Sequence, residues 1–118
     1  MGVFCYPLYG KRNWRARYMR TVSNLLNHDG RIYVYLASQN LANIFLKNAE
    51  SEGFTFSDGV KPTERDWDNI FAINPDWTIN YVGWIGHMAY KSFDKIGDQP
   101  LIRIDYCKYL SGNESYIF

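Results

Sequence analysis

The run from Ile32 to Ala37, IYVYLA, is apolar on both faces and rich in β-branched and aromatic residues, which predicts a short central strand. Ser38 follows as a helix N-cap, and Leu41, Ala42, Phe45 and Ala49 recur at helical spacing as a buried stripe. Gln39, Asn43, Lys47 and Glu50 fall on the opposite, water-facing side, and Gly53 ends the helix by accepting a left-handed backbone. Phe54 to Phe56 reads as a second strand and Ser57-Asp58-Gly59 as a turn. Pro62, Thr63 and Asp66 resemble a capping box and predict a second helix burying Trp67, Ile70 and Phe71, stopped by Asn74-Pro75-Asp76. Trp77, Ile79 and Tyr81 alternate with Thr78 and Asn80, the period of a half-buried strand. Gly83 and Gly86 predict a bulge or bend before a strand-like His87 to Tyr90. Asp94 to Pro100 is a polar turn, Leu101 to Tyr106 a last strand, and Asn113 to Phe118 a loose tail.

Ahead of this core, Asn13 to Leu26 has the pattern of an amphipathic helix, with Trp14, Tyr18, Val22 and Leu25 on one face and Arg17 and Arg20 off it. Asn27, Asp29 and Gly30 end it. The 118 residues therefore read as a single domain. It divides into a basic helical segment over 1–30, a core over 31–110 and a tail over 111–118. The expected class is α+β: a small, mostly antiparallel sheet of four to five strands with two to three helices packed on it.

Charge changes the picture more than composition does. Lys11, Arg12, Arg15, Arg17 and Arg20 stand in the first 28 residues with no carboxylate, and all twelve Asp and Glu come later with the remaining eight cations. The basic end suits an anionic partner, or packs over the acidic stretch Asp58 to Asp76. Aromatic residues make up 18% of the chain, with ten Tyr and four Trp, so the rings either fill the core and cover a sheet face or leave a surplus at a binding surface. No stretch reaches the ~20 apolar residues of a membrane span, and Met1 to Leu8 holds no long apolar run, so no membrane association and a cytosolic location are expected. In that setting Cys5 and Cys107 are free thiols, a single bridge being the alternative.

Candidate chemistry is sparse. Cys5, His28, His87 and Cys107 lack the paired spacing of a zinc site, and Leu36-Ala37-Ser38-Gln39 lacks the glycines of a phosphate cradle. His87 and Asp105 are weighed as a base and its orienter against a histidine satisfying a sheet edge, and Asp66 and Asp68 diverge on their expected helix. No catalytic signature emerges, so the expectation is a protein that is not an enzyme, with no cofactor and no metal.

The strand leading into SQNLANIFLKNAESEGFTFSDG, followed by KPTERDWDNIFAINPDWTINYVGWIGHMAY and LIRIDY, resembles small uncharacterised proteins of phages and mobile elements. Ala49, Gly53, Phe54, Phe56 and Gly59 carry the likeness, which covers about residues 31–106 and leaves the basic segment without a counterpart. It implies an accessory protein that inhibits host defence, in an anti-CRISPR-like context, whose partner is a host protein such as a CRISPR effector nuclease. The candidate partner-binding residues are Trp14, Arg17, Tyr18 and Arg20, or the acidic set Asp58, Glu64, Asp66 and Asp68. Two alternatives stand beside this reading. One is direct nucleic-acid binding by the basic aromatic helix, with salt-dependent affinity. The other is sequestration of a nucleotide between Trp77, Trp84 and Tyr90. A monomer and a homodimer are both compatible with the sequence.

Overall fold

β1 (Arg31–Tyr35) occupies the middle of the sheet, as its two-sided apolar pattern requires. The computed structural model describes residues 20–92, 95–96 and 98–117. After β1 come α1 (Gln39–Glu52), β2 (Thr55–Phe56), β3 (Ile70–Asn74), β4 (Thr78–Tyr81), α2 (Gly83–Ser92), β5 (Lys95–Ile96), β6 (Gln99–Asp105) and α3 (Tyr106–Leu110). The strand order is β2-β4-β3-β1-β6, with the two-residue β5 added as a hairpin on β6. The class is α+β. β1 pairs parallel with β6 and β2 with β4, while β1–β3, β3–β4 and β5–β6 are antiparallel.

The first helix forms as its pattern requires. The Ser38 side chain accepts the Leu41 amide at 3.2 Å, and Gly53 closes the helix at φ 103 with its amide on the Ala49 and Glu50 carbonyls. Leu41, Ala42, Phe45, Leu46 and Ala49 are buried against Ile32, Val34, Phe71, Ile79 and Ile104 of the sheet. Ser38→Ala is expected to cost ~1 kcal/mol of unfolding free energy, read by urea denaturation, because it leaves that amide without its side-chain acceptor. No change would show that water replaces the cap.

The helix expected from Thr63 is absent. Pro62–Glu64 make a single 3-10 turn, and the chain then runs without regular structure into β3. The Thr63 amide and hydroxyl donate to Glu50 Oε1 at 3.0 and 2.6 Å, so the residue meant to cap a local helix is tied to α1 instead. Those bonds hold the Glu50 carboxyl below its usual range. Ile70, Phe71, Ala72 and Ile73 are each at most 3% exposed, because a strand between two others is covered on both faces. Pairing with β1 and β4 outweighs a marginal capping signal.

Gly83 and Gly86 likewise do not bracket a strand bend; both lie in α2, which crosses the second sheet face above Tyr33, Ile70, Ala72 and Leu101. A Cβ on Gly86 would stand 2.3 Å from Val82 Cβ, so that glycine marks a close contact.

The carboxyl-terminal residues are not a loose tail up to Ile117. The Asp105 amide donates to the Tyr116 carbonyl at 2.7 Å, and Ile117 bridges to Ile104. Of the expected amino-terminal helix, residues 13–19 lie outside the described residues. Val22 and Leu25 are buried as expected, on a 3-10 turn over Ser23–Asn27. The Glu52 carboxylate receives the Val22 and Ser23 amides, both at 2.9 Å, and so fastens that turn to the end of α1.

Candidate interaction surfaces

Asp58 sits in the turn after β2, where its carboxylate accepts the Val60 amide at 3.3 Å and pairs with the Arg65 guanidinium. That guanidinium holds the Asp58 carboxyl below its usual range and lies 4.8 Å over the Phe56 ring. Asp66 is exposed, and its backbone carbonyl accepts the Tyr81 hydroxyl at 2.5 Å. Asp68 accepts the Asn69 amide at 2.6 Å and approaches His87 Nε2 at 3.3 Å. Burial raises the Tyr81 phenol, and the charges of Asp66 and Asp68 raise it further against the opposing pull of Arg65. A shallow depression of about 390 Å³ runs between Phe56, Asp58, Arg65, Asn80 and Tyr81. Two of the four expected acidic residues, Asp66 and Asp68, therefore act on one phenol, Asp58 lines the depression beside it, and Glu64 stands exposed on the 3-10 turn beside Arg65. Asp76 is exposed at the opposite end of β4, where it accepts the Thr78 hydroxyl at 2.6 Å.

The expected basic aromatic set fares differently. Trp14, Arg17 and Tyr18 lie outside the described residues. Arg20 is only 15% exposed at its side chain, donates to the Tyr109 and Asn113 carbonyls at 3.1 and 3.0 Å, and pairs with Glu114 at 3.3 Å. Its guanidinium also lies 5.3 and 5.1 Å from the Tyr109 and Tyr116 ring centroids. Arg20 is thus a structural clamp between the amino-terminal turn and the carboxyl terminus, not a partner-facing cation. Sequence spacing placed it off the apolar stripe but gave no sign of the Tyr pair that receives it.

Other expected groupings come apart as well. His87 lies on α2 beside Asp68, whereas Asp105 caps α3 by accepting the Lys108 amide at 3.2 Å, so the two form no base–orienter pair. His28 bonds the Tyr116 hydroxyl at 3.2 Å, whereas His87 pairs with Asp68. Cys107 is disulfide-bonded, which corrects the expectation of a free thiol; the other cysteine, Cys5, lies outside the described residues. Trp77, Trp84 and Tyr90 do not line one cleft. Trp77 adopts φ 66 in the β3–β4 turn and stacks on Phe54 at 4.9 Å, Trp84 is 76% exposed on α2, and Tyr90 packs on Tyr35 at 5.9 Å.

One surface escaped the sequence reading. Trp84, Ile85 and Met88 are 76%, 75% and 46% exposed on the outer side of α2, while Gly86 and Ala89 face the sheet. The signal was the run WIGHMAY at helical spacing, obscured by its glycines. Among the described residues no helix is long and apolar enough to cross a membrane. No family model, no curated protein and no solved structure matches the chain.

Proposed function

We propose that this chain is a non-enzymatic accessory protein of a phage or mobile element that inhibits a bacterial defence nuclease, as anti-CRISPR proteins do. It acts by laying its carboxylate edge into the groove where the nuclease holds nucleic acid. The observation that carries the reading is the placement of Asp66 and Asp68 at Tyr81 and of Asp58 in the depression beside it, with Glu64 exposed alongside. A groove that binds phosphates presents Lys and Arg, and carboxylates held on a sheet edge offer those cations charge-assisted hydrogen bonds in place of phosphate oxygens. Arg65 is engaged with Asp58 and the Phe56 ring, so it leaves the exposed Glu64 and Asp66 to the partner.

The reading sets the site of action in the bacterial cytosol. The bond at Cys107 pulls the other way, since reducing cytosols keep disulfides open. The contacts described for the carboxylate edge involve no residue of α3, where Cys107 lies, so the edge does not depend on that bond.

In bacteria with an active CRISPR system, expression of the chain should restore plating of a targeted phage. The variant Asp58→Asn, Glu64→Gln, Asp66→Asn, Asp68→Asn should lower that protection on the order of a hundredfold by removing the complementary charge. Its far-UV circular dichroism should stay unchanged, because each replacement keeps a polar side chain of the same shape. Full protection by the variant eliminates the carboxylate edge. Failure of the parent chain to protect against any of a panel of such systems removes the inhibitor reading.

A further inference from the structure

We infer that Tyr81 is a positioning residue of the carboxylate edge: its hydroxyl fixes the main chain that presents Asp66 to the partner. The inference rests on the inhibitor reading and names what organises that surface. From Asp66 to Asp68 the chain belongs to no helix or strand. Among the described residues, the main chain of these three takes part in one hydrogen bond, from the Tyr81 hydroxyl to the Asp66 carbonyl at 2.5 Å. Trp67 packs against the core and Asp68 approaches His87 Nε2 at 3.3 Å, but both contacts act through side chains.

The hydroxyl is delivered from a rigid place. Tyr81 lies on β4 opposite Phe71 of β3, and its ring packs on Phe71 at 5.2 Å and on Phe56 of β2 at 5.4 Å. A side chain locked by packing on a strand places its polar atom more closely than one on a loop. Burial, with the charges of Asp66 and Asp68 against that of Arg65, raises the phenol above its usual range, so it keeps the proton it donates. The remaining exposed carboxylates are held by other means. Asp58 accepts the Val60 amide within its own turn and pairs with Arg65, and Glu64 follows Thr63, which is tied to Glu50 of α1. The hydroxyl therefore governs the run around Asp66 alone. A run already ordered in its bound shape loses less conformational entropy when a partner docks.

Tyr81→Phe removes the hydroxyl and keeps the ring beside Phe56 and Phe71. Backbone amide order parameters at Asp66 to Asp68 should fall from about 0.85 to below about 0.6, with β3 and β4 unchanged. Protection of a targeted phage should fall roughly tenfold, a smaller loss than that of the variant with all four carboxylates replaced. The urea midpoint should stay near the parent's, because water replaces a bond at an exposed edge. A hydroxyl that served stability alone would lower the midpoint and leave the run ordered in the folded protein. Unchanged order parameters overturn the inference. So does full protection by Tyr81→Phe where the four-carboxylate variant has lost it, and that result leaves the inhibitor reading standing. Failure of the parent chain to protect overturns the inhibitor reading and this inference with it.

Discussion

Phe45→Ala should lower the unfolding free energy by roughly 3–5 kcal/mol, a large share of the ~5–15 kcal/mol that holds a domain of this size together. Phe45 is 0% exposed at the centre of α1 and meets one ring of the sheet and one of α3. Phe71 of β3 stacks at 5.8 Å between centroids, and Tyr106, at the start of α3, meets it edge-on at 5.2 Å. Truncation removes the apolar area of the ring and both aromatic contacts. The Tyr106 hydroxyl is anchored by the Asn48 amide at 2.9 Å, which limits how far that ring can move to close the cavity. Phe45→Leu retains most of the volume and should cost roughly 1–2 kcal/mol. Chemical denaturation with unchanged slope measures both. A loss below about 1 kcal/mol for the alanine variant would mean that α1 is not packed on the sheet through this residue.

Gly30→Ala is expected to cost roughly 2–4 kcal/mol, and Gly53→Ala only ~1–2, although both glycines have positive φ. Gly30 adopts φ +133 directly before β1, and a Cβ there would lie 2.4 Å from the Pro100 carbonyl oxygen and 3.1 Å from Pro100 Cγ. That oxygen belongs to the backbone of β6, which pairs with β1 from Arg31 onward, so it cannot swing aside as the tip of a side chain would. The substitution must displace the start of the parallel β1–β6 pairing. Gly53, at φ +103, has nothing within 4 Å of its would-be Cβ, so its replacement bears only the cost of the left-handed backbone. Thermal or urea denaturation of the two variants side by side separates close approach from conformation. Equal losses would show that Pro100 does not confine Gly30.

The acidic edge was legible in the sequence as a set of residue types, because Asp58, Glu64, Asp66 and Asp68 cluster along ten or so positions of chain. Its organisation was not. Asp66 and Asp68 come to the Tyr81 phenol, and Asp58 to the depression beside it, because β4 lies beside β2 in the folded sheet. Arg20 failed for the same reason. Its partners Tyr109, Asn113, Glu114 and Tyr116 are about ninety residues away, and a single cation in a basic run carries no mark of a distant ring pair.

What the sequence determined by itself is the set of features whose causes lie within a few residues. The strand–cap–helix–glycine unit from Ile32 to Gly53 is one, since an N-cap hydroxyl, a 3.6-residue stripe and a left-handed glycine act locally. The β4 and β6 strands are others. Tertiary structure decided the rest. Thr63 bonds Glu50 of α1 rather than capping a local helix, and the run Ile70 to Ile73 is a strand because it pairs with β1 and β4 on either side. The run Gly83 to Ser92 became a helix across the second face, where Gly86 lets it approach Val82 and the sheet while Trp84, Ile85 and Met88 remain outside. Local propensities there differ by less than the burial gained on the finished sheet, so the long-range contacts set the outcome.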